Sequence, residues 1–128
     1  MLSASYCRLY ARRAQTTREE EILNMAFSNE TIYSVWQKGK PVSGYDPKKY
    51  RQDECSAWMQ WEEYGNRESD FGWEIDHIKP AASGGSDGLT NLRPLQWENN
   101  AARQSGRLVC RVRSQGEHNV RTTTNNRP

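Results

Sequence analysis

Between residues 73 and 104 the chain runs through four segments of different character in quick succession, and this stretch constrains everything around it. A short apolar run (Trp73, Ile75, Ile78) carries Asp76 and His77 at its end. Pro80 stops it, because proline has no N–H to give to a strand ladder. A loop of turn-forming residues follows through Gly84, Gly85, Ser86, Asp87 and Gly88. Asn91-Leu92-Arg93-Pro94-Leu95 can form a second short strand. From Trp97 to Gln104 the spacing becomes helical, with Gly106 just past the end. The predicted order is strand, long loop, strand, helix, with a carboxylate, an imidazole and carboxamides at set points.

Those side chains suit metal-dependent phosphodiester hydrolysis. That reaction needs an activated water, a cation against the charge developing on phosphate, and help for the leaving oxygen. A hard cation held by one or two oxygen ligands supplies the last two. Asp76 offers a carboxylate and Asn100 a carboxamide oxygen. Helical spacing sets Trp97, Asn100, Ala101 and Gln104 on one inward side and leaves Asn99 about 100° round the helix as the weaker candidate. His77 can be the general base, since an imidazole of ordinary pKa ~6.5 is largely free to accept a proton near neutrality. Neighbours on a regular strand point to opposite faces, so the strand is expected to break at His77. Asn91 is suited to pin the following loop by bonding its backbone groups. Taken singly, each residue is ordinary: a surface histidine, a turn asparagine, a glycine loop. Only the ordered set points to chemistry.

Around this stretch the core must be thin, since 34% of residues are hydrophobic and the mean hydropathy is −1.04. Five Trp and six Tyr offset that, each buried ring removing about 150–250 Å² from water. Ile32, Val35 and Trp36 predict a short helix from Asn29 to near Gly39. Asp46-Pro47 reads as an N-cap and first helical residue, starting another short helix through Tyr50. Residues 55–64 fit a strand with Ala57, Met59 and Trp61 on one face, or a helix with Trp58 and Trp61 together; turn material on either side of Arg67 favours the strand. Leu108, Cys110 and Val112 alternate with arginines as a half-buried edge strand. From Ser114 onward polar residues dominate, and little order is expected.

The three cysteines (Cys7, Cys55, Cys110) form no CxxC pair, which argues against a disulfide framework and a four-cysteine zinc site. No apolar run approaches the ~20 residues that span a bilayer, so no membrane partner is expected. Beyond Asn100, six Arg face the single acid Glu117, a balance suited to a polyanion or simply to a solvated tail. Residues 1–24 fit poorly with the rest. Four Arg and no acid in the first eighteen resemble an organelle transit peptide, and Thr16 to Glu20 could cap a helix. The favoured reading is that Glu19-Glu20-Glu21 encodes a purine-rich ribosome-binding site read through, with Met25 as a bacterial start.

The motif Asp76-His77-Ile78-x-Pro80, then Gly84-Gly85, Asn91-Leu92, Asn100 and Arg103, resembles the HNH endonucleases. His77 to Asn91 is fourteen positions and Asn91 to Asn100 nine, both spacings of that family. The upstream words GYDPKKYRQDEC, AW, YGN and GWEIDHI are similar to small bacterial HNH proteins, so the resemblance runs from about Ile32 to Gln104. It implies an α+β fold: a ββα-metal core (motif 73–104) within a domain of residues 25–113, with short flanking helices, an added hairpin and a polar basic tail at 114–128. It also implies a DNA endonuclease leaving 5′-phosphate ends, with His77 as base, Asn91 orienting loop and histidine, and Asp76 and Asn100 holding one Mg²⁺, for which Mn²⁺ can substitute. Lys79, Arg93, Arg103, Arg107 and Arg111 are the expected DNA contacts. The alternative is an HNH-fold module that binds nucleic acid without cutting. Many relatives carry two CxxC pairs around a structural zinc; here Cys55, Trp58, Gln96 and Asn99 stand at those positions, so no zinc is expected and packing by Trp58, Trp61 and Trp97 would replace it. A cytoplasmic protein, bacterial or phage-encoded, is the matching expectation.

Overall fold

The computed structural model describes residues 27–104 and 106–122. The expectations for residues 1–24 lie outside them. The described chain is α+β: two short helices and six strands that pair as three separate antiparallel ribbons. Helix α1 (Asn29–Trp36) starts where Ser28 accepts the Thr31 N–H at 3.1 Å, a serine N-cap. Strands β1 (Tyr50–Gln52) and β2 (Trp58–Gln60) form the first ribbon. Strands β3 (Trp73–His77) and β4 (Leu92–Gln96) form the second, which runs directly into helix α2 (Trp97–Ala101). Strands β5 (Val112–Gln115) and β6 (His118–Arg121) form the third.

Aromatic rings fill the thin core. Val35, Trp36, Met59, Tyr64, Trp73, Ile75 and Leu92 are buried together, with Phe27, Ile32 and Trp61 packed against them. Trp73 lies at the centre, its ring centroid 5.1 Å from Trp36 and 4.8 Å from Tyr64. The apolar residues of β3 and α1 therefore meet in one layer, while Glu74 and Asp76 leave the other face of β3 toward α2.

Four expectations need correction. The segment after Asp46-Pro47 is a single turn in which the Asp46 carboxylate takes the Lys48 N–H, and Tyr50 already belongs to β1. Residues 55–64 give only the three-residue strand β2 before a 3₁₀ turn at Trp61–Glu63. The alternating stretch at Leu108 and Cys110 is unpaired, and pairing begins at Val112. Order then continues past Ser114, because β6 folds back on β5 and Asn119 clasps both the N–H and C=O of Trp58.

The cysteine expectation also changes. Cys55 and Cys110 form a disulfide across 55 residues of sequence. The expectation of a cytoplasmic protein rested partly on having no such bond, and disulfides favour oxidising compartments. Among the described residues no helix is long and apolar enough to cross a membrane. Closing a loop of that length restricts the unfolded chain, with typical stabilisation of about 2–4 kcal/mol. Reduction with dithiothreitol should therefore lower the urea midpoint by a corresponding amount. An unchanged midpoint would show that the bond adds nothing to stability.

Candidate active site

The β3–β4 ribbon builds the site from its own ladder. Asp76 sits directly opposite Arg93, and His77 opposite Leu92. The strand does not break at His77 as expected; pairing holds through it, and the Ile78 N–H still reaches the Asn91 carbonyl at 2.8 Å. The side chains of Asp76 and His77 therefore take different partners on different faces. Asp76 meets arginines beside α2, whereas the His77 ring lies 6.0 Å from the Phe27 ring and bonds Asp87.

Asp76 is almost fully buried. Its Oδ2 accepts from Arg93 Nε at 2.7 Å, and Arg103 ion-pairs with Oδ1. Burial pushes its carboxyl above the usual carboxylate range, and the two guanidinium groups hold that rise back. No donor meets Asp76 Oδ1 in hydrogen-bond geometry. Asn100 has the same feature: its Nδ2 donates to Glu74 Oε1 at 2.8 Å, but its buried Oδ1 has no partner among the described residues. Glu74 is itself gripped by Arg67 through two bonds of 2.6 and 2.8 Å, which fixes the face that Asn100 presents.

Asn91 closes the loop between the strands. Its Oδ1 takes the Lys79 N–H at 2.8 Å, and its Nδ2 donates to the carbonyls of Lys79 and Ser86. Gly85 lies under this clasp so tightly that a Cβ there would come within 1.8 Å of the Lys79 carbonyl oxygen. The loop thereby brings Asp87 to the histidine, with Oδ1 2.7 Å from His77 Nε2. Sequence reasoning missed Asp87, which looked like one more turn residue.

The expected DNA contacts divide. Lys79, Arg107 and Arg111 are exposed. Arg93 is not available as expected: its side chain is 10% exposed and engages Asp76, Glu54 and the Gly106 carbonyl. Arg103 is partly exposed and also donates to the His77 carbonyl at 3.0 Å.

The helix face read from the periodicity needs revision, because Asn99 is also turned inward. Asn99 is fully buried and completely bonded, accepting the N–H groups of Arg111 and Val112 and donating to Asp53 and the Val112 carbonyl. Ala101 and Gln104, expected on the inward side, are exposed. Asp53, missed in the sequence, takes N–H bonds from Cys55, Ala57, Gln96 and Asn99. Three of the positions aligned with the zinc ligands, Cys55, Gln96 and Asn99, thus meet at Asp53, while Trp61 packs into the core and Trp58 against Tyr45. Compared with family models, curated proteins and solved structures, the chain matches none.

Proposed function

We propose that this chain is an HNH-type endonuclease that hydrolyses DNA phosphodiester bonds with a single Mg²⁺. The observation that carries the reading is a pair of buried oxygens, Asn100 Oδ1 with no partner among the described residues and Asp76 Oδ1 held by the Arg103 ion pair. They belong to the two residues that the motif assigns to the metal. For Asn100 Oδ1 the missing donor costs about 1–3 kcal/mol, which a cation would remove, while Asp76 Oδ1 already meets Arg103. The donor set also fits: one carboxylate and one carboxamide suit Mg²⁺, which binds few protein oxygens and keeps several waters. When bound, it would neutralise charge on the phosphate and the leaving oxygen.

The residues then divide the remaining work. Asp87 holds His77 Nε2 and leaves Nδ1 as the nitrogen able to take a proton from water. Arg103, partly exposed beside Asp76, would be the guanidinium of the site that meets a phosphate.

The second reading, a binding module that does not cut, draws support from the same ion pairs. Arg93 and Arg103 already balance the charge of Asp76. Supercoiled plasmid incubated with the full chain in Mg²⁺ or EDTA separates the two. The nuclease reading expects nicking in Mg²⁺ alone, loss of nicking in Asp76→Ala, and partial recovery of that variant at raised Mg²⁺. Wild-type protein that binds DNA but never nicks it under any divalent metal would establish the module instead.

A further inference from the structure

The outer face of the β1–β2 ribbon carries a second constellation that shares no residue with the site above. Met59 points into the core, so its neighbour Trp58 stands on the opposite face. The register pairs Tyr50 with Gln60 and Gln52 with Trp58, which places Tyr50 on that same face, diagonal to Trp58. Phe71 is brought alongside by its carbonyl, which accepts the Gln60 N–H at 3.0 Å. Tyr45 packs on Trp58 with ring centroids 4.9 Å apart and planes inclined at 59°. The turn between β5 and β6 closes one side. Trp58 Nε1 donates to the Gly116 carbonyl at 2.7 Å, and Tyr45 OH donates to Glu117 Oε2 at 2.7 Å. Together Tyr45, Tyr50, Trp58, Phe71 and Glu117 line a cavity of about 270 Å³.

We infer that this cavity binds a quaternary ammonium group, such as the trimethylammonium of a choline compound. Ring faces are negative at their centres and attract cations, and the Glu117 carboxylate adds a full charge of the same sign. The volume lies just under the ~300–1,000 Å³ of ordinary small-molecule sites, so a headgroup fits better than a large ligand. A nucleobase fits less well. The inclined rings offer no parallel slot for stacking, and Glu117 would repel the attached phosphate. A primary ammonium or guanidinium would bring several N–H donors to a wall with one carboxylate, already shared with Tyr45. A trimethylated nitrogen has no donors to leave unpaired.

Calorimetric titration of the full chain with choline tests the inference, with 3,3-dimethylbutanol as the uncharged isostere. Choline should bind saturably, and the isostere at least about tenfold more weakly, as cation–π and charge terms require. Glu117→Gln lies at an exposed turn, keeps an acceptor for Tyr45, and should weaken choline by about tenfold as well. Phosphatidylcholine vesicles form a parallel arm. Choline bound with vesicles ignored assigns a soluble ligand; vesicles bound assigns a lipid headgroup. No binding to choline or vesicles, equal binding of the isostere, or unchanged affinity in Glu117→Gln would each overturn the inference.

Discussion

Replacing His77 by alanine should cut plasmid nicking by about 10²–10⁴ while leaving DNA affinity almost unchanged. The expectation rests on what the imidazole touches. Among the described residues its one bonded side chain is Asp87, on the loop that Asn91 clasps, so the ring is held without being part of the core. Asp76 and both of its arginines stay in place when the ring is removed. Arg103 is anchored by the His77 carbonyl, which alanine retains. Affinity should survive because the proposed phosphate contacts are the exposed cations Lys79, Arg107 and Arg111, which the substitution leaves in place. Single-turnover cleavage and a binding titration at one salt concentration measure the two quantities. Equal nicking by variant and wild type would remove His77 from the reaction. A parallel loss of binding would make it a DNA contact instead of a base.

The parts of this fold that were legible in the sequence are those set by local chemistry. Pro80, the glycines and Asn91 determine where β3 ends and how its loop closes, within about a dozen residues of one another. The apolar spacing of α1 needs only Ile32, Val35 and Trp36. What escaped depends on distant partners. Nothing near Cys55 announces Cys110, and nothing near Asp53 announces the Gln96 N–H, 43 residues on. The β5–β6 ribbon is too polar to show a hydrophobic signal; Asn119 bonding to Trp58, 61 residues away, ties it down. Asn99 and Asn100 were ranked by a wheel with one buried side. That logic fails when a helix of five residues is packed between the β3–β4 ribbon and the segment entering β5. In the candidate site, the residue types were legible and their pairings were not: Arg93 faces Asp76, and Asp87 faces His77.

Asp53→Ala should destabilise the protein by about 3–5 kcal/mol, more than any surface change. One oxygen of Asp53 accepts the N–H groups of Cys55 and Ala57, each at 2.9 Å. The other accepts the Gln96 N–H at 2.9 Å and Asn99 Nδ2 at 3.1 Å. Alanine leaves four donors without acceptors in a region closed to water. Each costs about 1–3 kcal/mol, and the losses overlap because the donors share one carboxylate. Asp53→Asn should fall between the two. Its carbonyl can still serve Cys55 and Ala57, but its amide would face Gln96 and Asn99 donor to donor. The pH dependence has a definite sign. Burial holds the folded Asp53 above the usual carboxylate range, against the pull of its four N–H partners. The folded state therefore takes up its proton more readily than the unfolded chain. That contribution to wild-type stability is complete below the unfolded pKa of about 3.9 and is lost as pH rises through the folded value. Alanine has no such decline, so the gap between wild type and Asp53→Ala should be wider at acid pH than at neutral pH. Urea unfolding of the three proteins across that range reads it directly. A loss below about 1 kcal/mol for Asp53→Ala would show that water reaches these donors and that Asp53 does not hold β2, α2 and the entry to β5 together.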